Sequence, residues 1–385
     1  AQNPAICNKY VSESDLVVSL LPPALHIHAA KACLKWNKSL FTASYVSAEI
    51  KALDAEARSK DLLLMNELGL DPGIDHLSAM KIIHDLQQKG ATITSFKSYT
   101  GGLVAPEYDN NPWNYKFTWN PRNVVLAGQG VAKYIVNNDY KYVPYHRLFT
   151  DIQTISVKGY GNFDGYPNRD SLSYREVYGL ENIPTMIRGT LRKEGFCEAW
   201  NVFVQLGITD DSYKLENSHQ ITYRQFIDAY LPANNGSSAE ERLKNVIGHD
   251  KKAIFDKIVW LGLLENTAIP LKEASPAQIL QYVLEQKWAL GQADKDMIVM
   301  QHIFEYELKG KKHELYSSLV VKGDNIHSTA MAKTVGLPLA MGAKLYLEGK
   351  LEGLAGVHVP IMPVIYEPIL DELATMGIVF HEEVL

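Results

Sequence analysis

Cysteine is nearly absent from this chain. Its 385 residues hold three, Cys7, Cys33 and Cys197. They are odd in number and far apart, which excludes a disulfide framework and a zinc cluster and fits a reducing compartment. No apolar run approaches the roughly 18 residues that cross a bilayer, so no membrane partner is expected. Positive charge is not in excess: the formal net charge is -6, and nothing suggests a nucleic-acid partner. The start, AQNPAICNKY, has no basic segment and no long apolar segment, so it is not read as a signal peptide. Internal repeats and low-complexity stretches are also missing. So is the dinucleotide fingerprint G-x-G-x-x-G. The nearest string, Gly128-Gln129-Gly130, lacks the third glycine and is read as a turn.

What is present is ordinary globular composition, 46% hydrophobic and 21% charged, with length for two or three domains. Short apolar runs at 15–22, 39–45 and 61–68 read as buried strands. They alternate with helical periodicity at 24–35, 47–60 and 75–89. Ser47 is read as an N-cap without a capping box. This alternation is the signature of a parallel sheet, in which ligands sit at the carboxyl ends of the strands. From about residue 90 the pattern becomes mixed. Strand character appears at 91–102, and at 154–171 a strand runs into a turn-rich loop. Helices dominate 199–292. Two strands at 296–308 and 312–324 join through a hairpin at Lys309-Gly310-Lys311, and 328–351 reads as a buried helix.

The stretch NELGLDPGIDHLSA, Asn66 to Ala79, lies at one of these strand ends. Gly69 and Gly73 let the backbone approach a neighbour closely, and Asp71, Asp75 and His76 follow the strand. Asp71 has two readings, a ligand contact or a cap of the next helix. Asp75 is assigned to capping and His76 to the first helical turn. The aromatic stretch 108–119 either closes over a ligand or packs between domains. Lys333 is read as a cation that snorkels from a buried helix.

Many strings, in order along the chain, carry a resemblance: DLVVSLLPPALHIHAAKAC, TASYVS, NELGLDPGIDHLSAMKII, YTGGLVAPEYDNNPWNYKFTW, GYPNRDS, IRGTLR, KDMIVM and AMAKTVGLPLAMGAK. Together they resemble the glutamate-forming saccharopine dehydrogenases, including the dehydrogenase half of the bifunctional animal enzyme. The resemblance runs from Asp15 to about Glu367 and is weakest over 200–292. It implies an α/β fold: a partial Rossmann doubly wound parallel sheet plus an α/β substrate-binding domain with a mostly helical insert. The spans expected are 1–85 for the second half of the Rossmann domain, 86–198 with 293–325 for the substrate domain, 199–292 for the insert, and 326–385 for a segment returning to the Rossmann side. Family members begin with the glycine-rich loop, whereas this chain enters near the middle of that domain. Truncation of a longer chain is the expectation, over loss of half a cofactor site.

The implied activity is oxidation of saccharopine by NAD or NADP to glutamate and 2-aminoadipate 6-semialdehyde, or the reverse, in lysine metabolism. The resemblance assigns Leu21, Ala43, Ser44, Leu70 and Asp71 to the cofactor and Ser44, Tyr45, Asp71, Arg169, Thr190, Leu191 and Arg192 to the substrate. Tyr45 and Asp71 are the catalytic candidates. Arg188 is read as structural, and no metal is expected. A homodimer is expected, in the cytoplasm or, for an animal-type bifunctional enzyme, in mitochondria. Two alternatives stand: an imine reductase of the same fold acting on a polyamine or amino-acid precursor, and a non-enzymatic binding homologue.

Overall fold

The architecture is that of a computed structural model, which describes residues 4–233 and 236–385. Residues 1–3 of the expected span 1–85, and 234 and 235 of the span 199–292, lie outside the described residues. The strands in chain order are β1 (Leu16–Val18), β2 (Ser39–Phe41), β3 (Leu63–Met65), β4 (Thr92–Val104), β5 (Val131–Val136), β6 (Asp139–Pro144), β7 (Gln153–Val157), β8 (Gly161–Pro167), β9 (Thr185–Lys193), β10 (Asp296–Leu308), β11 (Lys311–Lys322), β12 (Gly356–His358) and β13 (His381–Val384).

The first three strands form a parallel sheet with β12 in the order β1-β2-β3-β12. Every residue of β2 and β3 is buried, as a sheet covered on both faces requires. Its strands are shorter than the apolar runs predict: Thr42 and Asn66 to Leu68 stay buried, but Glu67 and Leu68 bond across the ends of β2 and β3 outside the regular ladder. The single helix expected over 47–60 is two short ones, Ala48–Lys51 and Asp54–Ser59. The Ser47 hydroxyl does cap the first by accepting the Ile50 N–H. The C-terminal segment is split between sheets: β12 joins the small sheet and β13 pairs with β11.

The large sheet runs β13-β11-β10-β4-β9-β5-β6, with β8 beside β9 and β7 beside β8. Among the described residues only β4 and β9 of this sheet pair in parallel, Ser95 to Thr100 against Thr185 to Thr190. The expected hairpin at Lys309-Gly310 is present, with both residues at positive φ. Two hairpins differ from the expectation. The span 154–171 is β7 and β8 turning at Gly159, not a strand with a loop. β5 and β6 turn at Asn137-Asn138, both at positive φ, a turn that asparagine tolerates. Gly128 to Gly130 precede β5 in a turn with no strand before it.

The helix Ile74–Gln88 lies between the sheets, with ten buried residues. It shares one core with Phe41 and Met65 of the small sheet and Phe96, Met186 and Met300 of the large sheet. The aromatic stretch 108–119 contributes Trp113, Tyr115 and Phe117 to a second core. Trp113 and Tyr115 meet Phe196 and Trp288 in an aromatic cluster, and of the aromatic residues in the stretch only Trp119 is exposed. Lys333 extends outward from its helix and pairs with Asp324 at 3.0 Å. Among the described residues no helix is long and apolar enough to cross a membrane.

Candidate active site

The site grows from the carboxyl ends of β2 and β3. Glu67 N–H donates to Ser44 O at 3.0 Å, Leu68 N–H to Thr42 O at 3.2 Å, and Val46 N–H to the Glu67 carboxylate at 3.0 Å. The chain then closes a tight loop. Gly69 N–H donates to Pro72 O at 3.0 Å, Ile74 N–H to Gly69 O at 2.8 Å, and Asp75 N–H to Leu70 O at 3.1 Å. Gly73 has φ +149°, and a Cβ there would lie 2.0 Å from Gly69 O, so only glycine closes this loop. It projects Asp71 beyond the strand end and Asp75 into the first helical turn.

Arg188 on β9 meets both carboxylates. One guanidinium nitrogen, Nη2, donates to Asp71 Oδ1 at 2.9 Å and to Asp75 Oδ2 at 2.6 Å. The guanidinium also lies over the Tyr174 ring at 4.1 Å, a cation–π contact strengthened by burial. Tyr45 OH donates to the same Asp71 oxygen at 3.1 Å. Burial is the main cause that pushes Asp71 above the ordinary carboxylate range, with the Asp75 charge adding to it. Burial also pushes Asp75 up, but His76, Arg188 and the Gly73 N–H outweigh it and hold Asp75 below that range. Two carboxylates at one cation thus split in acidity. Burial, followed by the Asp71 charge, raises the Tyr45 phenol well above its usual value, so it remains a proton donor at neutral pH.

A second layer stands behind the first. His76 Nε2 lies 2.8 Å from Glu67 Oε2 and its Nδ1 2.6 Å from Tyr178 OH, while Tyr174 OH donates to Glu67 at 2.9 Å. His76 therefore belongs to a fully buried polar cluster, beyond its first-turn reading. Asp75 does accept the Gly73 N–H at 2.6 Å, as a capping carboxylate does, but its other oxygen serves Arg188. Arg188 is structural in the sense expected, yet it touches the site directly. Sequence reading missed Glu67, Tyr174 and Tyr178. The one available signal was a lone acid, Glu67, which with Asn66 interrupts the apolar run LLLMNELGL.

The remaining predicted residues fall into three places. Arg169, exposed and at φ 53°, lies over the Tyr45 ring at 4.9 Å. Arg188, Thr190 and Arg192 share one face of β9 by strand alternation, whereas Leu191 packs its side chain on the opposite side. What Leu191 turns toward Arg192 is its carbonyl, which accepts from Arg192 Nη1 at 2.9 Å. Leu21, Ala43 and Ser44 are half-buried at neighbouring ends of β1 and β2, and Leu70 is buried. A Cβ at Gly69 would meet Ala43 Cβ at 2.9 Å, so the ends of β2 and β3 pack closely, with Ala43 and Leu70 in one core and Leu21 against another. The Ser44 hydroxyl beside them is held by His26 Nε2 at 2.8 Å, and His26 Nδ1 reaches Ser19 at 2.8 Å.

These features define a two-sheet α/β protein with a buried ionic site where a parallel sheet meets a mixed one. The chain belongs to the saccharopine dehydrogenase family: the family's saccharopine dehydrogenase C-terminal domain matches residues 69–378. It is 38% identical to the mitochondrial alpha-aminoadipic semialdehyde synthase of Mus musculus over 97% of this chain and 41% of that protein. It is 35% identical to the NADP(+), L-glutamate-forming saccharopine dehydrogenase of Schizosaccharomyces pombe, over 99% of this chain and 86% of that one. The solved apo structure of the Saccharomyces cerevisiae L-Glu-forming saccharopine dehydrogenase superposes with a TM-score of 0.89 at 33% identity, covering 100% of this chain and 88% of that one. The chain thus spans about two fifths of the length of its mouse relative.

Proposed function

We propose that this chain carries the substrate-binding and catalytic part of an NADP-dependent, glutamate-forming saccharopine dehydrogenase. The observation that carries this reading is the charge layout. Arg188, Thr190 and Arg192 line one face of β9, and the first of them grips Asp71 at the end of the parallel sheet. Saccharopine has three carboxylates, a primary ammonium and the secondary amine that reacts. Arg169 and Arg192 take carboxylates, for which a planar guanidinium fork is suited. Asp71 takes the ammonium. Tyr45, its O–H bonded to Asp71, offers its phenol oxygen to accept from the N–H of the reacting amine, and Ser44 orients substrate against cofactor.

The nicotinamide dinucleotide supplies the hydride acceptor when bound. The closely packed strand ends carrying Ala43 and Leu70, with the Ser44 hydroxyl beside them and Leu21 at the end of β1, fit the flat nicotinamide end. NADP is chosen over NAD because the S. pombe relative is named for it. In this reading residues 1–85 serve the cofactor side. The spans 86–198 and 293–325 serve the substrate side, 199–292 is the helical insert, and 326–385 returns to the cofactor side. A homodimer in the cytoplasm, or in mitochondria for an animal-type bifunctional protein, completes the proposal.

The test uses the protein expressed from its complete reading frame. Saccharopine with NADP is expected to raise the absorbance of reduced nicotinamide, with NAD less effective. Arg192→Ala is expected to lower kcat/KM for saccharopine at least about a hundredfold, as truncating a buried ionic contact does. A folded protein that reduces neither cofactor sinks the reading.

A further inference from the structure

His26 opens the helix His26–Trp36 and is 2% exposed, whereas His28, two residues on, is exposed. Both ring nitrogens of His26 meet hydroxyls. Nδ1 lies 2.8 Å from Ser19 Oγ, and Nε2 lies 2.8 Å from Ser44 Oγ. The bridge spans the carboxyl ends of β1 and β2. Those ends are already joined by their ladder, and beyond it Ser19 N–H donates to Phe41 O at 2.9 Å. Strand pairing therefore does not need the bridge, and burying its polar groups costs free energy unless each is satisfied.

The direction of the bridge follows from a count of donors. Burial lowers the pKa of His26 below the ordinary histidine value, so near neutral pH the ring carries one N–H. The Ser19 side chain is buried, and His26 Nδ1 is the only hydrogen-bond partner of its hydroxyl among the described residues. Were Nδ1 the donor, the Ser19 hydroxyl hydrogen would be buried without an acceptor, which is costly. Ser19 O–H thus donates to Nδ1, and Nε2 carries the ring proton. Ser44 Oγ is the near acceptor for Nε2–H, since Thr42 Oγ1 is 3.5 Å away. Ser44 Oγ then accepts from His26, and its own hydrogen is left for another acceptor. Ser19, His26 and Thr42 are buried, whereas Ser44 is half-buried. The relay ends in a donor at the strand ends where ligands of a parallel sheet sit.

We propose that His26 is a positioning residue: with Ser19 it fixes the Ser44 hydroxyl as a donor to an acceptor oxygen of the bound ligand, the carboxamide of the nicotinamide or a carboxylate of the substrate. The inference rests on the saccharopine reading and deepens it, since there Ser44 stands between substrate and cofactor. A serine hydroxyl by itself rotates, and either donates or accepts. Here an imidazole N–H occupies its accepting side, so the hydroxyl meets an oxygen with no reorientation to make.

The test uses the full-length protein. Ser44→Ala is expected to lower kcat/KM about fivefold, the scale of one hydrogen bond. The KM that rises, for NADP or for saccharopine, names the ligand that supplies the oxygen. His26→Asn keeps a polar group at the Nδ1 position and loses the Nε2 donor, and it is expected to raise the same KM by a similar factor. His26→Gln places an amide N–H near the Nε2 position and is expected to recover most of that loss, although it gives up Ser19. In the Ser44→Ala background, His26→Asn is expected to change nothing further. Effects that multiply in the double variant, or a His26→Gln variant no better than His26→Asn, mark a merely structural tie and overturn the proposal. A second readout needs no turnover. Nitrogen-15 NMR of the ligand-free protein is expected to show the ring proton on Nε2 and none on Nδ1, the His26 signals being those absent from His26→Asn. A proton on Nδ1 overturns the proposal. A wild type that oxidises no saccharopine sinks the functional reading alone, and the NMR result then decides the relay by itself.

Discussion

Arg188→Met is expected to lose about 3–5 kcal/mol of folding stability at neutral pH, the cost of stranding buried partners of a broken ion pair. The side chains of Arg188 and Asp75 are 9% and 2% exposed, and that of Asp71 is 19%, so little water reaches the carboxylates that the variant leaves behind. The loss has a pH signature. The folded pKa of Asp75 lies below its unfolded value, so its stabilisation is present above the ordinary carboxylate range. That stabilisation is lost as pH falls through the folded pKa. Asp71 has the opposite sign. Its folded pKa is raised, so its contribution is present below the ordinary range and is lost as pH rises through the folded value. Without Arg188 both carboxylates move up, so both oppose folding at neutral pH and neither does once protonated. Urea midpoints of wild type and variant are therefore expected to be far apart at about pH 7 and to converge near pH 4. A gap that is the same at both values shows that Arg188 stabilises by packing, not by its charge. Arg188→Lys is expected to recover only part of the loss, because an ammonium lacks the stacking on Tyr174.

Gly73→Ala is expected to be as severe, at about 4 kcal/mol or more. Two effects add here. Its φ of +149° is one that L side chains avoid, and the new methyl carbon would lie 2.0 Å from Gly69 O and 2.2 Å from Gly69 C and N. Those are backbone atoms and cannot rotate away. The same loop holds Asp71 and starts the central helix, so loss of saccharopine oxidation is expected with the loss of stability. Gly90→Ala is the control: its φ is also positive, but a Cβ there meets nothing within 4 Å, so only about 1 kcal/mol is expected. Equal thermal midpoints for the two variants contradict the close-approach account of Gly73.

Much of this was legible in order along the chain. The alternation of apolar runs and helical periods marked the parallel sheet, and the glycines of GLDPG marked the close approach that Gly73 makes. The Lys309-Gly310 hairpin was readable because its turn chemistry is contained in two residues. The hairpin at Asn137-Asn138 was missed although its signal has the same kind, because Val131 to Val136 carries no clean alternation. The two-piece helix over 47–60 was also missed, since one amphipathic period runs across both pieces.

The candidate site divides along the same line. The pattern put Asp71 and Tyr45 at strand ends, and the family resemblance assigned them to the ligands. Arg188 was set aside, and Glu67, Tyr174 and Tyr178 were not seen at all. Arg188 is 117 residues from Asp71 and 113 from Asp75, and Tyr174 is 107 from Glu67. By itself the sequence determined which backbone positions turn, which segments are buried, and where carboxylates leave the parallel sheet. The tertiary structure alone decided which cation answers those carboxylates. The reason is physical. A residue's φ and its burial period are set by its own side chain and near neighbours, whereas the partner of a buried charge is set by the register between strands far apart in the chain.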